Sequence, residues 1–109
     1  MNAIIISPMP SGIWQMQETT LPANLNKRVE AIQEIVGGYF EMHTLYAGKH
    51  MYEVYVNDEA ALKGETMGFV FGGKMHLLGA AVIIPAGKRK VSRKALATHI
   101  SVFNLNNNS

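Results

Sequence analysis

A chain of 109 residues, 48% hydrophobic and only 17% charged, has the size and composition of one folded domain with its own core, which excludes a disordered regulator. Cysteine is absent, so disulfides, thiolate nucleophiles and sulfur-ligated metals are excluded as well, and a reducing compartment suits the chain. The net charge of +2 hides an asymmetry, because five of the ten lysines and arginines crowd into positions 88–94.

Ala3 to Ile6 reads as a short strand. It is too brief for a signal-peptide core and has no basic leader, and no apolar run approaches the roughly 20 residues that cross a bilayer, so a soluble cytoplasmic protein is expected. A Pro/Gly-rich connection, Ser7 to Gly12, leads to a second strand around Ile13 to Gln17. Leu25, Val29, Ile32 and Val36 then recur at helical spacing, predicting an amphipathic helix capped by Asn24 and stopped by Gly37.

Tyr39 to Tyr46 alternates with period two, Ala47 to His50 supply a short Gly-containing connection, and Met51 to Val56 alternates again. The two runs predict a β-hairpin. With Phe40, Met42, Thr44 and Tyr46 inward on one strand and Tyr52, Val54 and Val56 inward on the other, Tyr39, Glu41, His43, Glu53 and Tyr55 gather on the opposite face. That face is either a binding surface or the solvated side of an antiparallel sheet. Asn57, Asp58, Glu59 and Ala60 end the second strand in residues that favour a turn, with Asn57 or Asp58 placed to cap one helical turn before Gly64. A Gly-punctuated region to Gly73 and an apolar strand, Ala80 to Ile84, complete an α+β domain over residues 1–103: a largely antiparallel sheet packed against one amphipathic helix.

Three pieces occur in order across residues 35–84: Gly37-Gly38-Tyr39-Phe40-Glu41, then Tyr55-Val56-Asn57-Asp58-Glu59 with Lys63-Gly64, then Leu78-Gly79 leading into Val82-Ile83-Ile84. In this the chain resembles a family of small, largely bacteriophage proteins described as a domain of unknown function. It departs from that pattern after Lys63-Gly64, where Glu65-Thr66-Met67-Gly68 replaces a Leu-Pro-x-Asn segment, and in its basic C-terminal region. The resemblance implies a nucleotide "sponge", an oligomer that binds the cyclic nucleotide alarm signals of bacterial CBASS defence and sequesters them intact. Tyr39, Glu41, Tyr55, Asn57 and Glu59 are then the ligand-binding candidates on the sheet face.

Past Pro85 the chain turns basic, with Lys88, Arg89, Lys90, Arg93 and Lys94. Arginine and lysine pair with phosphate oxygens, so Lys88, Arg89 and Lys90 join the ligand-binding candidates, the bland alternative being a solvated cluster. The run also admits a small DNA- or RNA-binding regulator, although few aromatics interleave with the charges. Leu96, Ile100 and Phe103 fit a helix stripe, while Ile100, Val102 and Phe103 fit a last strand, and residues 104–109 are expected to be a disordered tail.

No catalytic constellation stands out. His43, His50, His76 and His99 lack metal-ligand spacing, Asp58 is the only aspartate, and Gly72-Gly73-Lys74 lacks the rest of a phosphate loop. A non-catalytic binding protein without cofactor is therefore expected. Seven methionines give adaptable packing surfaces, with Met42, Met51, Met67 and Met75 in or near the sheet region where subunits would meet, and a two-fold interface lets one residue meet both halves of a two-fold ligand, so a homo-oligomer is expected too.

Overall fold

The computed structural model describes residues 1–9, 13–87 and 89–105. It is an α+β domain of two antiparallel sheets and two helices, in the order β1 (Asn2–Pro8), β2 (Trp14–Thr20), α1 (Leu25–Val36), β3 (Phe40–Ala47), β4 (His50–Asn57), β5 (Met67–Phe71), β6 (Met75–Leu78), β7 (Ala81–Pro85), α2 (Arg93–Ala97) and β8 (Ile100–Asn104). The larger sheet runs β2-β1-β7-β4-β3 and the smaller β6-β5-β8, every pairing antiparallel. No helix among the described residues is long and apolar enough to cross a membrane.

The helix begins and ends where its sequence signals lie. The Asn24 side chain accepts from the Lys27 amide at 3.1 Å, and Gly37 takes the left-handed conformation, φ 87°, donating to the Gln33 carbonyl at 2.9 Å. Ile32 and Val36 are its buried face. They pack with Ala3, Leu21, Val82 and Ile84 on one side of the larger sheet, and each buried aliphatic side chain there contributes about 1.5–3 kcal/mol. Leu25, the first residue of the predicted stripe, is 63% exposed.

The larger core lies between the sheets. Ile4, Ile6, Tyr52, Val54, Val56 and Ile83 meet Phe69, Phe71 and Leu77 of the smaller sheet, and Val91 and Leu96 close one end. All five residues of β7 are buried, as a central strand with both faces covered requires.

The hairpin forms, but its predicted faces need correction. Gly48, φ 64°, and Lys49 make a two-residue turn with glycine at the first central position, where a type II′ turn needs it, and this pairs Ala47 with His50. Odd-numbered residues of β3 consequently share a face with even-numbered residues of β4: Glu41 lies opposite Val56 and His43 opposite Val54, while Met42 lies opposite Tyr55. Glu41 and His43 are thus on the inter-sheet side, and Tyr55 and Glu53 on the helix side. A shift of one position in pairing parity separates residues that alternation alone had put together.

At the C-terminal end the strand alternative holds: Ile100, Val102 and Phe103 lie in β8, while α2 spans only Arg93–Ala97 and takes in Leu96 alone of the helix stripe. Asn104, expected in the tail, lies in β8 opposite Met67, and residues 106–109 lie outside the described residues.

Candidate functional site

The sheet-face candidates fall into separate environments. Asn57, 8% exposed, donates from Nδ2 to the Val36 carbonyl at 3.1 Å and accepts at Oδ1 from the Glu59 amide at 2.7 Å, which ties the end of β4 to the end of α1. Beside it the Asp58 amide donates to the Tyr39 carbonyl at 3.1 Å and Lys63 Nζ to the Gly37 carbonyl at 2.8 Å. Tyr39 and Glu59 are exposed at this end, Tyr39 by 75%. A hollow of about 310 Å³ lies alongside, lined by Ser7, Val36, Asn57, Lys63 and Glu65 among others.

Glu41 points to the other side of the sheet. Its Oε1 is 3.4 Å from His43 Nε2, a buried nitrogen with no hydrogen bond, and Glu41 also borders a small hollow of about 180 Å³ with Asp58 and His76. Among the described residues no three His, Cys, Asp or Glu side chains converge as metal ligands.

Tyr55 sits under the helix. Its ring meets Phe40 edge-on at 5.1 Å and its hydroxyl donates to Glu53 Oε1 at 2.9 Å. Burial first, then the Glu53 hydrogen bond and carboxylate charge, push the phenol up to about 12, so it remains a donor at neutral pH. Tyr55 is already engaged on both counts.

The basic run occupies the opposite end of β4. Lys88 lies outside the described residues. Arg89 donates from Nη2 to the Met51 carbonyl at 3.0 Å and lays its guanidinium 5.0 Å over the Tyr52 ring, so it anchors the segment. Lys90 is exposed, bordering a hollow of about 290 Å³ with Arg89, Ile84 and Met1. Met51 and Asn57 are six residues apart on one strand, roughly 20 Å, so Arg89 and Asn57 do not converge on one small ligand within a chain.

A different grouping emerges at the β2 edge. Trp14, Gln15 and Met16 of β2 face Arg93, Lys94 and Ala97 of α2 across an open groove of about 640 Å³, with two cations and no acid in its lining. Val91 and Leu96, both buried, and Ser92, whose hydroxyl accepts from the Ala95 amide at 3.1 Å, fix the segment that carries those cations. The basic run is legible in the sequence as phosphate-pairing residues, and Trp14 as the chain's one tryptophan. Their meeting was not, because 79 positions separate Trp14 from Arg93 and only the packing of α2 on β2 joins them.

Compared with protein-family models, curated proteins and solved structures, the chain matches none of them.

Proposed function

We propose that this protein is a non-catalytic nucleotide-binding protein that sequesters a cyclic nucleotide signal intact, in the manner of a phage anti-CBASS sponge, and that it works as a homo-oligomer. The observation that carries the reading is the anchoring of the basic segment. Arg89 is pinned on Tyr52 and Val91 and Leu96 are buried, so Lys90, Arg93 and Lys94 stand exposed on a fixed frame instead of a loose tail. Cations held in place lose less entropy when a phosphate arrives, and each charge-assisted bond to one contributes about 1.5–3 kcal/mol. The resemblance across residues 35–84 points to the same ligand class.

A thermal-shift panel of cyclic dinucleotides and trinucleotides tests this, since a ligand that binds only the folded chain raises its stability by about RT ln(1 + [L]/Kd). At least one cyclic nucleotide should raise the melting temperature saturably and be recovered unchanged after the protein is digested. Linear products in excess of one equivalent would mean an enzyme, and binding of single-stranded oligonucleotides alone, with a steep salt dependence, would mean a nucleic-acid regulator.

A further inference from the structure

We propose that the ligand site is the groove between β2 and α2, with a nucleobase stacked against Trp14 and phosphate held by Arg93 and Lys94. This rests on the nucleotide-binding reading and places it away from the sheet-face residues that the sequence pattern favoured. Three observations converge. The lining combines one aromatic ring with two cations and no carboxylate, which is the chemistry of a base joined to a phosphate. Trp14 is half-buried, held edge-on by Phe69 at 6.0 Å and 75°, so its ring is fixed in orientation and still borders the groove. Arg93 spends one of its five N–H donors on the Met16 carbonyl at 3.4 Å, which steers the guanidinium toward the groove and leaves its other donors for a ligand.

The groove favours a small nucleotide over a nucleic-acid strand. Its volume of about 640 Å³ lies within the range of small-molecule sites, roughly 300–1,000 Å³. It also offers a single stacking ring, whereas a strand needs a succession of them along a charged track.

The chain has one tryptophan, so its emission reports on the Trp14 ring, which borders this groove and packs on Phe69. Titrating the full chain with cyclic di-GMP, cyclic di-AMP and cyclic GMP–AMP, while following both Trp14 emission and melting temperature, should give a change in emission that saturates together with the thermal shift. Arg93→Ala and Lys94→Ala should each weaken that ligand by about tenfold or more, with the unliganded melting temperature nearly unchanged because both side chains are exposed. Trp14→Phe should keep weaker binding through the smaller ring. A thermal shift with unaltered Trp14 emission and undiminished affinity in both cation variants would overturn the groove and leave sequestration standing. No shift and no emission change with any cyclic nucleotide would overturn both.

Discussion

Asn57 joins two elements through both ends of one amide, and at the residue scale that makes it a structural latch. Replacing it by alanine strands the Val36 carbonyl and the Glu59 amide, the first of them where the Asn57 side chain now excludes water. A buried group left without its partner costs about 1–3 kcal/mol. Asn57→Ala should therefore lower stability by about that amount in urea melts while leaving nucleotide affinity per folded chain unchanged. Unaltered stability with lost affinity would return Asn57 to a ligand-binding role. A turn-forming asparagine is recognisable in sequence; that its amide reaches back 21 residues to the helix end is not, because the contact depends on how α1 lies over β4.

Among elements, β5 is paired on both sides at the centre of the smaller sheet. A Cβ at Gly68 would be driven against the Leu77 carbonyl oxygen and lie 2.5 Å from the Phe103 ring, so the neighbouring strands must move to admit it. Gly68→Ala should lower stability by about 1–3 kcal/mol, the usual cost of overpacking, seen as a lower urea midpoint at unchanged slope. An unchanged midpoint would show that the β6 and β8 contacts on β5 yield freely. The elements were unequally legible. The helix carried its cap, its stripe and its stop, and Ala80 to Ile84 announced a buried strand by its unbroken apolar run. The hairpin's existence was plain, yet its parity was not, because Met42 and Tyr46 are apolar and nonetheless 46% and 61% exposed. β5 and β6 were hidden by the glycines that punctuate them, whose left-handed turn at Gly72 and Gly73, φ 60° and 74°, connects two strands.

For the whole molecule, strand order decides which surfaces are available at once. β3 forms one edge of the larger sheet and β2 the other, so assembly at β3 leaves the β2 groove open. β3 pairs in unbroken register for eight residues and contains no proline, lysine or arginine, the usual devices that protect an edge from another chain. Exposed Met42 and Tyr46, with Met51 opposite Tyr46, extend one of its faces. On this basis the proposed oligomer uses β3, and light scattering should find twice the chain mass or more, falling to one chain in Met42→Lys/Tyr46→Lys. A double variant that keeps the native mass would place the contact elsewhere, and a native chain that stays single at high concentration would end the oligomer proposal. With a complete groove in each chain and the contact on the opposite edge, the ligand is not shared across the two-fold interface, and its stoichiometry should be one per chain in either state.

The central position of β7 also sets an order of events during synthesis. β1 and β4 reach each other only through β7, which pairs with both, yet Ala81–Pro85 is made after every other strand of the larger sheet. Until those residues leave the ribosome, the β1–β2 and β3–β4 hairpins have no strand between them to join them into one sheet. β7 therefore turns two marginal hairpins into one sheet in a single late step, and the larger sheet's cooperativity is concentrated in the last-made of its five strands.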